Sequence, residues 1–217
     1  MPKISPYYLS RLFREKDFSV LKELAANTIK DAKSGILQHP LGFYHCNLYS
    51  SEDGGTKLRL HYWRRDELGK GSAITPYHDH VWKLSSCVIH GEIYNHTLNV
   101  VADPEGDYTL ETVEQKREPG RDSVGTAGLR VRFGVERIEL IKRAMFYQVS
   151  PRQFHFSSLG NCDHAVSLVL SEPGVDGNPR TLMPLGAKPH APKRETSDRA
   201  AIVGDEILAI LDQENGP

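Results

Sequence analysis

The chain has no long apolar run. Nowhere does it approach the ~20 consecutive apolar residues that a membrane helix needs, and its start, MPKISPYYLSRLFREKDF, lacks the short apolar core of a secretory signal. Cysteine is scarce. Cys46, Cys87 and Cys162 form an odd, widely spaced set without a C-x-x-C pair, which fits a reducing cytosol better than a disulfide framework. No charge of one sign dominates: 27 Lys+Arg stand against 28 Asp+Glu, a net charge of -1. That balance excludes a protein that works by coating nucleic acid, and equally an acidic solvating tail. Internal repeats and low-complexity tracts are absent too. What remains, 39% hydrophobic and 25% charged over 217 residues, is the mix of an ordinary globular chain. The expectation is one cytoplasmic domain over residues 1–217, with a small molecule as partner rather than nucleic acid or membrane. The oligomeric state stays open.

The first part of the chain, to about residue 35, has a helical period. Leu9, Leu12 and Phe13, then Val20, Leu21, Leu24, Ala25 and Ile29, recur at helical spacing among charged residues. Asp17 reads as an N-cap for the second half and Ser34-Gly35 as the stop. From Phe43 to Leu170 the pattern changes to short runs rich in β-branched, aromatic and Leu residues, at 43–49, 58–63, 84–89, 92–101, 109–113, 129–133, 137–141, 145–149 and 165–170. Turn residues punctuate them: Asp53-Gly54-Gly55, Gly69-Lys70-Gly71, Asp103-Pro104-Glu105-Gly106, Glu118-Pro119-Gly120 and Gly160-Asn161. Many short strands so spaced predict an antiparallel sandwich or barrel. Segment 171–197, rich in Pro and Gly, reads as an extended loop wrapping it. Residues 197–213 read as a closing helix, capped by Ser197, with an apolar stripe of Ile202, Val203, Ile207, Ile210 and Leu211. The predicted fold is therefore mainly β: a barrel over 43–185 between N-terminal helices (1–35) and a C-terminal helix.

The most informative stretch is His78-Asp79-His80, with Gly71 ahead of it and Gly91 after it. Side chains alternate along a strand, so two histidines one residue apart share a face and Asp79 takes the other. A third, His155, follows Pro151 at the head of another strand-like stretch. Three imidazoles on one ion leave coordination positions open, as catalytic metal sites do. A histidine pair by itself is read equally well as surface or satisfied core residues, and this chain has ten histidines. The glycines and the proline around the trio favour the metal.

That pattern resembles the two motifs of the cupin superfamily, Gly-x5-His-x-His-x3-4-Glu-x6-Gly and Gly-x5-Pro-x-Gly-x2-His-x3-Asn. The first has one extra residue before His78, and its glutamate position falls on Leu84 or Ser85. The second keeps Pro151 and His155, with Gln153 in place of glycine and the asparagine displaced to Asn161. A three-histidine site without glutamate is similar to the thiol dioxygenase branch of the cupins, the cysteine dioxygenase-like proteins. The likeness runs from Tyr44 to Met183. It implies a jelly-roll-like cupin barrel, Fe(II) held by His78, His80 and His155, and O2 as co-substrate. It also implies catalytic places for Tyr44 and His61, and a substrate pocket lined by Cys46, Trp63, Trp82, Ser167 and Met183. The departures lie on the substrate side. The family's carboxylate-binding arginine falls on Cys46, and the histidine and tyrosine of its Ser-His-Tyr relay fall on Val169 and Ser171. Cys87 lies near the family's cross-linked cysteine, whose tyrosine partner is missing here.

Several residues have two readings. Lys57, Arg59, His61 and Trp63 share one strand face, and Leu58, Leu60 and Tyr62 the other. Either face could be the inner one, so His61 is either a pocket acid/base group or solvated. Trp82 either packs or closes the pocket wall. Cys46 and Cys87 read equally as buried fillers. Arg130 and Arg132 form a solvated face or replace the lost arginine, and the 188–194 basic run reads as surface. Three neutral ligands leave a metal its full charge, so an anionic donor such as a thiolate, an enolate or a carboxylate binds well at the open positions. Together with the resemblance, this gives the expectation of an O2-dependent iron oxygenase. The rivals are a non-redox metal cupin acting as isomerase, lyase or hydrolase, and a small-molecule-binding cupin without catalysis.

Overall fold

A computed structural model describes residues 4–32, 35–115, 122–124, 128–188, 195–196 and 199–213. Ser34, the Glu118-Pro119-Gly120 turn, residues 189–194 of the basic run and Ser197 lie outside the described residues. Helix α1 (Pro6–Glu15) starts where Ser5 accepts a hydrogen bond from the Tyr8 amide, and it stops at Lys16 in the left-handed region. Asp17 then caps α2 (Phe18–Ala32): its carboxylate accepts from the Val20 amide at 3.2 Å. Helix α3 (Ala200–Gln213) buries Val203, Ile207, Ile210 and Leu211, whereas Ile202, expected in that stripe, is exposed. No helix among the described residues is long and apolar enough to cross a membrane.

The strands are β1 (Leu37–Gln38), β2 (Tyr44–Ser50), β3 (Lys57–Arg64), β4 (Lys83–His90), β5 (Glu92–Ala102), β6 (Tyr108–Gln115), β7 (Asp122–Val124), β8 (Leu129–Lys142), β9 (Phe146–Val149), β10 (His155–Leu159), β11 (His164–Glu172), β12 (Arg180–Pro184) and β13 (Glu195–Thr196). They form two sheets, in the orders β13-β1-β2-β3-β11-β4-β9 and β10-β5-β8-β6-β12, with β7 beside β6. The fold is mainly β and jelly-roll-like, as expected. It is two separate ladders, however, and not one hydrogen-bonded barrel.

Three further expectations are corrected. The runs at 129–133 and 137–141 are one strand, β8, carried past Gly134 by a bulge where Thr97 pairs with Arg137 and Leu98 with Val135. Segment 171–197, expected as loop, contains β12, which pairs with β6. The 76–80 segment, expected as a strand, makes only isolated bridges, from His78 to His155 on one side and to Thr181 on the other.

Both faces of the larger sheet are buried, for different reasons. Leu58, Leu60 and Tyr62 of β3, Cys87 and Ile89 of β4, and Val166, Leu168 and Leu170 of β11 pack against α1, α2 and α3. The alternate residues Trp63, Val88 and Ala165 pack with Ile93, Ile141 and Leu159 of the other sheet. The face of His61 and Trp63 is therefore the inner one.

Gly91 joins β4 to β5 and carries the chain from one sheet to the other. Its φ is +70°, and a Cβ there would lie 2.4 Å from the His164 carbonyl oxygen. Gly91→Ala is expected to cost about 1–3 kcal/mol or more, read as a lower urea midpoint. An unchanged midpoint would show that the turn relaxes freely.

Candidate metal centre

The His78–His80 segment is held at both edges of the smaller sheet. The His78 amide donates to the His155 carbonyl at 3.2 Å, and the His155 amide returns the bond at 2.9 Å. On the other side the Leu182 amide and the Thr181 hydroxyl both donate to the Tyr77 carbonyl, and the Asp79 amide donates to Arg180. The Arg152 amide donates to the His80 carbonyl at 2.7 Å. Asp79 points away from the histidines, as its position in the motif predicts, and is fully buried. The Arg180 amide and guanidinium donate to its two oxygens at 2.6–2.7 Å. Arg152 stands 3.9 Å away while donating to the Asp176 and Asn178 carbonyls. A buried carboxylate is tolerated only when paired in this way.

On the opposite face the three imidazoles converge. One ligand nitrogen from each of His78, His80 and His155 lies within 4.8 Å of the other two. His80 Nε2 and His155 Nε2 are 3.1 Å apart. Two nitrogens each ~2.1 Å from one ion, at roughly 90–110° to one another, lie about 3.0–3.4 Å apart, so this pair matches a shared ion. The outer partners assign the tautomers. His78 Nδ1 donates to the Pro76 carbonyl at 2.7 Å, and His155 Nδ1 donates to Asn95 Oδ1 at 3.2 Å. Each Nε2 is left as a lone pair for the ion.

Electrostatics keep the group neutral. Burial holds His80 and His155 well below the ordinary imidazole value and lowers His78. The charged groups that bear on His80 are His78, His155, Arg59 and His39, each of which opposes a proton there. The geometry and the donor set both fit one divalent metal ion with open positions.

The remaining sequence candidates divide by face. Trp82 stacks on His80, ring centroids 5.3 Å apart. His61 and Trp63 line the inner face, with Phe43 between them at 4.7 and 4.3 Å. Ser167 is buried opposite His61. Met183 is buried on β12, two residues beyond Thr181, the bridge partner of His78. Tyr44 and Cys46 are the corrections. Both belong to the core cluster against the helices, and the Cys46 thiol donates to the Ala32 carbonyl at 3.2 Å. Burial pushes that thiol up to about 11 and Cys87 up to about 12, so neither is poised to react. The inward residue of β2 is His45, which pairs with His61.

Sequence reasoning missed Asn95, which orients His155. It also missed Tyr147, a partly buried phenol that shares hydrogen bonds with Ser86 and with Ser157, the latter two residues past His155. Counting the pleat back from His61 through the register would have found His45. No local signal marks Asn95 or Tyr147.

No protein-family model matches the chain, and no curated protein matches it. Among solved structures it is similar to HppE in its Fe(II) form, at 10% identity and a TM-score of 0.37 over 59% of this chain and 49% of that one. It is similar to the DMSP lyases RdDddP and RnDddQII, at 13% and 0.34 over 68% and 51%. A cupin-like protein from Thermotoga maritima gives 9% and 0.35 over 75% and 84%. The chain spans about half the length of the first two. At these scores the likenesses carry no argument about chemistry.

Two measurements check the site. Asn95→Ala removes the acceptor that fixes His155, and metal affinity is expected to fall about 10–100-fold, read by competition with a chelating dye. Unchanged affinity would show that Asn95 does not orient the ligand. The second concerns acid. His61, His80 and His155 have folded values below the 6.5 of the free side chain, so the unfolded chain takes up protons first. Stability of the metal-free protein is therefore full above about pH 6.5 and is lost as the pH falls below it. A thermal midpoint that does not drop on that side would contradict the buried, neutral cluster.

Proposed function

We propose that the protein is a mononuclear non-haem iron(II) oxygenase that uses O2 on a small, metal-chelating substrate, with chemistry like that of the thiol dioxygenases. The supporting observation is an all-imidazole set with no carboxylate among the converging groups; Asp79, whose charge bears on His78, is paired with Arg180 on the opposite face of the segment. His78, His80 and His155 hold the ion through Nε2 and contribute no negative charge. An anionic substrate atom is then the natural partner of the ion's open positions. Bound iron supplies the redox chemistry and the activation of O2.

The chain's own residues do the rest. Asn95 and the Pro76 carbonyl hold two ligand rings in the required tautomer. Trp82 covers the flank of His80 and excludes water there. His61, kept neutral by burial, offers one ring nitrogen as donor and the other as acceptor toward the substrate. Tyr44 has no role in this scheme, because it faces the helices.

The test is anaerobic reconstitution with iron, followed by O2 uptake against thiols and non-thiol chelators. Uptake is expected only with both iron and a chelator present, and His155→Ala is expected to abolish metal retention and uptake together. Protein that holds iron yet consumes no O2 with any chelator would overturn the oxygenase. If zinc-loaded protein instead turned over a chelator without O2, a Lewis-acid enzyme would replace it.

A further inference from the structure

The sheet face that looks onto the three histidines holds two buried donors with nothing to donate to. Ser167 is 1% exposed and Trp63 6%, and among the described residues neither Ser167 Oγ nor Trp63 Nε1 has a hydrogen-bond partner. They are close on the inner face: Ser167 lies opposite His61 and Trp63 opposite Ala165, two residues away on each strand. Folded proteins rarely leave such groups unpaired without a reason.

Their depth relative to the histidines follows from the packing. Val169, two residues past Ser167, belongs to the cluster with Leu84 and Val149 against which Trp82 packs, and Trp82 stacks on His80. Ser167 and His61 therefore lie at least two residues, about 7 Å, further along their strands than that cluster, on the side away from Trp82. His61 and His80 each keep part of their surface exposed.

We propose that Ser167 and Trp63, beside His61, receive an uncharged carbonyl oxygen on the end of the substrate that points away from the three histidines. This rests on the reading of those histidines as the metal site. An indole N–H can only donate, so the group it meets must accept. The serine hydroxyl donates a second bond to the same oxygen, whose two lone pairs match two donors. The walls decide the charge. Phe43, Val88 and Ala165 surround Trp63, burial keeps His61 uncharged, and Arg59 stands two residues back along β3 from His61. Arg59 bears on His61, but beside the indole a carboxylate would meet the apolar Phe43, Val88 and Ala165, which costs more than burying a carbonyl there.

The experiment uses full-length, zinc-loaded protein and three thiols matched in length: N-(2-sulfanylethyl)acetamide, 4-sulfanylbutanoate and butane-1-thiol. Each can anchor its sulfur on the ion, and only the distal end differs. Binding is followed by titration and by the 15N-coupled indole resonances, assigned with Trp63→Phe and Trp82→Phe. The amide is expected to bind about tenfold tighter than butane-1-thiol and to move the Trp63 indole resonance downfield. Ser167→Ala is expected to weaken the amide about tenfold while leaving butane-1-thiol within about twofold. It should also leave the unliganded protein at least as stable, because it removes an unpaired buried oxygen. A serine with a purely structural role would destabilise instead. If 4-sulfanylbutanoate binds tightest and moves Trp63, the subsite takes an anion and the proposal falls. If all three thiols bind and Trp63 never moves, the subsite assignment alone falls. If the protein holds no zinc, or no thiol reaches it, the metal reading falls and this proposal with it.

Discussion

The carboxylate of Asp79, wholly buried between the two ligand histidines, meets the guanidinium and amide of Arg180 on the far side of its own segment. The His78–His80 stretch is too irregular to be a strand in its own right, and it touches its neighbours only through isolated bridges. Without a fixed rotation about its axis, the alternation that puts both imidazoles on one face would have no consequence. The ion pair supplies that rotation. Arg180 belongs to β12 and the bridge on the other side belongs to β10, so the segment is pinned from both edges of the smaller sheet. Arg152, at the head of β10, adds a second cation and ties in the 176–178 loop.

The helices explain why the sheet was harder to read than the site. A strand with one solvated face shows its inner side by polarity alone. Here α1, α2 and α3 cover the outer face of the larger sheet, so Leu58, Leu60 and Tyr62 are apolar because they meet helices. The side that faces the other sheet carries Arg59, His61 and Trp63. Polarity therefore points the wrong way on β3. Contact between Trp63 and residues of the smaller sheet identifies the inner face. The same pleat explains Tyr44 and Cys46, whose places in the pocket were implied by the resemblance and lie one residue out of step with the inner face. A shift of one residue turns every side chain of a strand to the other face, and here it exchanged His45 for its neighbours.

The convergence of the three histidines was legible because its signal is local: two histidines one residue apart need only an extended backbone to share a face. The element pattern was legible for long, alternating segments such as β5 and β11. It failed at β12, a strand preceded by Pro179 and ending at Pro184 that forms by pairing with β6. The supporting residues were illegible for a related reason. Asn95 and Tyr147 come from β5 and β9, distant in the chain; Asn95 acquires its role when β5 pairs with β10, and Tyr147 when the two sheets face each other and bring it to Ser157.

Charge is segregated across the ligand segment, and that segregation defines what the site can bind. One face carries a carboxylate matched to arginine; the other carries only neutral nitrogens, with Arg59 and His39 within electrostatic reach of His80. A slip of one residue would bring Asp79 to the ion and send His78 and His80 into a pocket built for an anion. The ion would then keep at most one imidazole from this segment and gain a negative ligand, which lowers its appetite for an anionic substrate. The bridges at His78 and the pair at Asp79 oppose that slip together, because either face in the wrong place leaves a buried charge unpaired. The register of one short segment thus decides whether neutral imidazoles or a carboxylate face the point of convergence, and with it the charge that an ion held there would keep.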